Sequence, residues 1–172
     1  MIHNSDPMIS GYGTTAAGDP VIYLNSNEPT IAHVPDIAIV ATMLHEAIHA
    51  YLLVYDKNDP SAAKLKYPEL FTNYQKNERN FNKTHHTIMA RDFISDLAKA
   101  LKSFGEANKY DIDKQVYDDL AWKGLTNGDA EGFNSLSETD KYRINRRILA
   151  EQYGIPKDEI NIEQVGKALG CK

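Results

Sequence analysis

Between residues 36 and 55 the chain is apolar on a helical period. Ile37, Val40, Met43, Leu44, Ile48 and Leu52 recur at spacings of three and four, the stripe a helix turns towards a core. Pro35 suits the first helical position, and Asp36 places negative charge beside the positive end of the helix dipole. No strong breaker follows before Asn58, Asp59 and Pro60, so the pattern predicts a helix over about 36–55. A second stripe, Ile88, Ala90, Phe93, Ile94, Leu97, Ala98 and Leu101, predicts another over about 84–104, stopping before Gly105. A third is expected over about 111–123, ended by Gly124 and the Asn127-Gly128 turn. A fourth should start after Ser137, whose hydroxyl can cap it together with Asp140, and run to about Tyr153 before Gly154 and Pro156. The stretch 155–172 reads as a tail, with a short helix over about 162–169.

Strand signals are scarce. Val21-Ile22-Tyr23-Leu24 is β-prone and closed by Asn25-Ser26-Asn27, which predicts one strand. Residues 1–20 are polar and carry Gly11, Gly13, Gly18 and Pro20, so they read as loop, with room for a further strand near Tyr12 or Ile31. The region 57–83 contains Pro60, Pro68 and several Asn and reads as loop with short helical pieces. The expected fold is α+β and mostly helical, with a small N-terminal sheet. No composition shift or repeat divides residues 1–172, so they read as a single domain, and 172 residues can bury a core without a disulfide.

Charge and composition narrow the partners. The net charge of −5 and a sequence pI near 5.6 give no general attraction to nucleic acid. The largest basic cluster, Lys141, Arg143, Arg146 and Arg147, reads as the solvated face of a helix. The one cysteine, Cys171, rules out an internal disulfide and a cysteine-based zinc cluster. No run approaches the ~18 continuous apolar residues of a membrane span. The N-terminal residues lack the basic start and apolar centre of a signal peptide, although they read equally well as the cut end of a longer protein. Neither compartment nor oligomeric state can be read from these features.

Chemistry enters with His45-Glu46-Ala47-Ile48-His49. On a helix, residues four apart lie one above the other, so His45 and His49 can meet one ion at about 2.0–2.1 Å. Glu46 can then reach a water on that ion without being a ligand. Zinc would lower the pKa of that water to about 7, and the glutamate could take its proton and hand it to a leaving amine. A chance HExxH in this composition is expected about once in a hundred chains. Two histidines and a glutamate in an otherwise apolar helix would also be costly to bury without partners. A catalytic zinc site wants three protein ligands and an open position. Of His3, His33, His85 and His86, His86 shares a face with Ala90, Phe93, Leu97 and Leu101 and should point to the core. His85 is rotated about 100° away and should point elsewhere. Glu78 and Asp92 are the acidic alternatives. Asp56, Asp92 and Asp96 are candidates to orient a ligand histidine from behind. Tyr110 and Tyr117 are candidate oxyanion donors, with core packing the plainer role for both.

The segment Thr42-Met43-Leu44-His45-Glu46-Ala47-Ile48-His49-Ala50-Tyr51 resembles the active helix of SprT-like and related zincin metallopeptidases. The run His85-His86-Thr87-Ile88-Met89-Ala90 is similar to a QHExMA pattern, and Leu120-Ala121-Trp122-Lys123-Gly124-Leu125 to an LAWGGL pattern, of Bacteroidetes-type zincin domains. Three positions depart from those patterns: His85 for Gln, Thr87 for Glu and Lys123 for Gly. The resemblance implies a minimal zincin fold, Zn2+ held by His45, His49 and His86, and catalysis by Glu46 on a protein or peptide substrate. Members of that group are often terminal domains of secreted or toxin-like proteins, which implies an effector role. The departures leave room for a domain of the same fold that binds metal or a partner and cleaves little. The SprT likeness raises a DNA-associated protease, against which the acidic charge weighs.

Overall fold

The computed structural model describes residues 9–14, 20–24, 34–58, 66, 78–128, 130–153 and 162–167. Two short strands, β1 (Ile9–Thr14) and β2 (Pro20–Leu24), pair antiparallel, with Tyr12 opposite Ile22 and Thr14 opposite Pro20. The expected strand is there, one residue longer. Its partner lies at the further strand suggested near Tyr12, within the stretch 1–20 otherwise read as loop. The reason is composition: Gly11 and Gly13 contribute nothing to strand propensity, so β1 is specified by pairing with β2 rather than by its own side chains. The ladder is irregular between Ile9 and Gly11.

The rest is helical. Helix α1 (Asp36–Asn58) starts where Pro35 and Asp36 predicted and runs to the first breaker. Helix α2 (Glu78–Ile88) passes through a π-helical turn, Met89–Phe93, into α3 (Ile94–Ala107), so the second predicted helix starts earlier and ends later than expected. Helix α4 (Lys114–Leu120) is shorter than the expected 111–123 because Asp113, not Asp111, caps it: its carboxylate accepts from the Gln115 N–H at 2.7 Å. A single turn, α5 (Glu131–Asn134), was not anticipated. Helix α6 (Glu138–Tyr153) has the predicted cap, the Asp140 N–H donating to Ser137 Oγ at 3.1 Å.

The tail departs from expectation. Residues 162–167 are not helical, because their polar groups are taken by neighbouring elements. The Val165 N–H donates to Glu151 Oε1 at 3.0 Å, and the Lys167 N–H to Asp36 Oδ1 at 3.0 Å. The basic cluster is not a solvated face either. Arg146 is buried and donates to the Tyr142 hydroxyl, Arg147 pairs with buried Glu151, and Arg143 bridges α6 to buried Asp119 on α4. Lys141 and Arg143 stay partly open to solvent, Lys141 paired with Glu138 and Arg143 also with Asp140.

The main core joins α1, α3, α4 and α6 through Ile37, Ala41, Leu97, Leu101, Leu120, Leu125, Phe133 and Ile144. A satellite of Leu52 and Ile88, flanked by Ile48, Tyr55 and Phe93, holds α1 to α2. By length and composition the stretch Asp36–Tyr55 could cross a membrane, with a mean hydropathy of 1.7. Within this fold it is a core helix whose buried line runs Ile37, Ala41, His45, His49 and Leu52. Met43, counted in the predicted stripe, is 46% exposed. The stripe is therefore centred on the histidines rather than on the largest apolar side chains.

Candidate metal centre

Four histidines meet where α1 faces α2. Helical spacing puts His45 and His49 on one side of α1, with their Nε2 atoms 3.1 Å apart. His86 comes from α2, its ring centroid 5.3 Å from that of His45 and 5.1 Å from that of His49. One ligand atom from each of these three residues lies within 4.8 Å of the others, close enough to hold one metal ion. Two nitrogens on a tetrahedral zinc, each at about 2.0–2.1 Å, stand about 3.3 Å apart, so the His45–His49 separation fits that donor set. Glu46 is buried beside them, with Oε1 4.0 Å from His45 Nε2. The carboxylate thus borders the space the nitrogens enclose.

Burial sets the protonation of these rings. Desolvation, helped by the charge of neighbouring His86, Lys123 and His85, pushes the His45 pKa down to about 3, with the Lys123 backbone working weakly the other way. Desolvation also takes His49 well below its ordinary value, reinforced by His45, His85 and His86. The same cause, reinforced by His86, takes His85 to about 3. All three rings are neutral at pH 7, which is the form that binds a cation.

His85 is where the sequence reading went wrong. It is fully buried, and its Nδ1 lies 2.9 Å from His49 Nδ1. The reason is the π turn at Met89–Phe93, whose hydrogen bonds reach one residue further than in an α-helix. One extra residue rotates everything before it by about 100° relative to the core stripe that follows. A residue that an unbroken helix would turn outwards is thereby brought onto the buried face. Of the carboxylates expected behind the ligands, Asp92 pairs with Arg91 and Asp96 with Lys99 on the surface. That also removes Asp92 as a ligand. The side chains of Asp56 and Glu78, together with His3 and His33, lie outside the described residues.

A third segment closes over the site. Gly124 has φ +83°, and a Cβ there would lie 2.6–2.8 Å from the Nδ1, Cε1 and Nε2 atoms of His45. Only glycine both adopts that backbone and lets it press on the ring. The preceding Lys123 is buried, its ammonium 3.4 Å from Gln152 Oε1 on α6. The Arg143–Asp119 ion pair ties the same stretch to α6. Neither tyrosine weighed as an oxyanion donor is engaged at the histidines. The Tyr110 hydroxyl donates to Asp36, and the Tyr117 ring packs against Gly105. Trp122 lines the core against Phe133, and Met89 is fully buried.

No protein-family model, curated protein or solved structure matches the chain.

Proposed function

We propose that this domain is a zinc-dependent peptidase of the minimal zincin type, with His45, His49 and His86 holding the metal and Glu46 acting as general base. The observation that carries the reading is the convergence of three buried imidazoles, those of His45, His49 and His86, with a buried carboxylate beside them. Three histidines leave a fourth position open, the arrangement of catalytic rather than structural zinc. Bound there, zinc would supply Lewis acidity, polarising a carbonyl oxygen and making water a better acid. Glu46 would take the proton from the attacking water and deliver it to the leaving nitrogen. The pairing of β1 with β2, with β2 packed beside α1, would leave an extended peptide a strand to add to.

A second reading, a domain that holds metal or a partner without cleaving efficiently, draws on buried Lys123, whose positive charge acts on His45. One experiment separates the two. Zinc content is measured in wild type, His86→Ala and Glu46→Gln, alongside hydrolysis of a mixed peptide library. The peptidase reading expects about one zinc per chain in wild type and Glu46→Gln and a sharp loss in His86→Ala, with cleavage reduced about 10²–10⁴-fold by Glu46→Gln. Zinc without Glu46-dependent cleavage supports the binding domain. No zinc in wild type, even after adding it, overturns the peptidase reading and the metal-holding form of the second.

A further inference from the structure

We propose that His85 is the positioning residue for His49: it accepts a hydrogen bond from the His49 Nδ1–H and so holds His49 in the tautomer whose Nε2 lone pair faces the metal. The inference rests on the metal-centre reading above. His49 uses its two ring nitrogens on opposite sides. Nε2 lies 3.1 Å from His45 Nε2, at the convergence of the three ligands, while Nδ1 lies 2.9 Å from His85 Nδ1. The second distance is that of an ordinary hydrogen bond. The ring planes differ by only 28°, so the N–H of one ring points near the plane of the other, where the acceptor lone pair lies. One proton serves each ring: His49 carries its own on Nδ1 and His85 on Nε2, both neutral. Metal-ligating histidines usually give that proton to a carboxylate, a carbonyl or water. Here the acceptor is an uncharged imidazole, which orients His49 without adding negative charge behind the metal.

His85→Asn and His85→Leu test the role, because asparagine places Oδ1 near the position of the histidine Nδ1 and leucine offers no acceptor. Zinc affinity is measured by competition with a chromophoric chelator, and ¹⁵N imidazole spectra are recorded on the metal-free wild type. His85→Leu should weaken zinc binding 10–100-fold and His85→Asn by no more than about threefold. The spectra should show His49 protonated on Nδ1 and His85 on Nε2. Equal affinity in all three proteins overturns the proposal, as does a folded His85→Asn as weak as His85→Leu. A second zinc per chain, lost in His85→Leu, makes His85 a ligand instead. Failure of wild type to bind zinc ends the metal-centre reading. His49 protonated on Nε2 ends this one, whatever the metal result and whether or not His85→Leu folds.

Discussion

At the start of α1, Asp36 accepts from the Tyr110 hydroxyl and from the N–H groups of Ile37 and Lys167, while its own N–H donates to the Lys167 carbonyl. Nine residues further along the same helix, His45, Glu46 and His49 are buried with His85 and His86. The first cluster is part-buried, with Lys167 exposed, and the second is buried throughout. In the first, an acidic acceptor is matched to protein donors, so the chain satisfies it alone. In the second, imidazole nitrogens converge on one another, and three of them can present lone pairs to a common point. The first arrangement is a clasp between the helix start and the C-terminal segment; in the second, three histidines lie close enough to hold a cation. Two polar sites on one helix thus differ in whether their complement comes from within.

Acid should separate them most. The depressed pKa values of His45, His49 and His85 mean that the unfolded chain binds more protons than the folded one between about pH 6.5 and 3. Stability present above pH 6.5 is therefore lost as pH falls. In metal-free protein each fully desolvated histidine should cost up to about 2 kcal/mol between pH 7 and 5, read from denaturant melts. The clasp fails at the other extreme. Burial, and then the hydrogen bond to Asp36, raises the Tyr110 pKa to about 12, so its contribution is intact below pH 10 and lost as pH rises through 12. A metal-free protein equally stable at pH 7 and 5 would break the comparison.

Zinc should come next. At 100–1,000 times its dissociation constant it should add about 2.7–4.1 kcal/mol, removed by a chelator, and the gain should be the same in Tyr110→Phe. Gly124→Ala should cost about 2–4 kcal/mol, from positive φ and from a methyl group forced against His45, and should weaken zinc binding at the same time. Denaturation with and without zinc measures both. The smallest effect is Tyr110→Phe itself, about 1 kcal/mol for a lost hydrogen bond, with zinc content unchanged.

Periodicity located α1 and the cap at Ser137 because each rests on residues near in sequence. HExxH and His86 were legible for the same reason, as spacing on a helix. What escaped depends on partners far along the chain. The bounds of β1, suggested only as a strand near Tyr12, come from its pairing with β2, and residues 162–167 are not helical because Glu151 and Asp36 take the N–H groups of Val165 and Lys167. Of the arginines of α6, Arg143 depends on distant Asp119, whereas Tyr142 and Glu151 lie one turn from Arg146 and Arg147, and what the local pattern did not show is that this face is covered. Gly124 looked like a helix stop, and only its approach to His45 gives it a second role.

The π turn at Met89–Phe93 makes the presentation of His85 a matter of counting. Deleting one residue within 89–93 would let α2 and α3 join as an uninterrupted α-helix. His85 and His86 would keep their angle to the core face that anchors them, because the π turn has already absorbed that residue. Length and letters can therefore offset each other at this site. A descendant that loses one residue of the turn could retain the cluster, while one that keeps the count but exchanges the turn for a regular α-helix would swing His85 about 100° off that face.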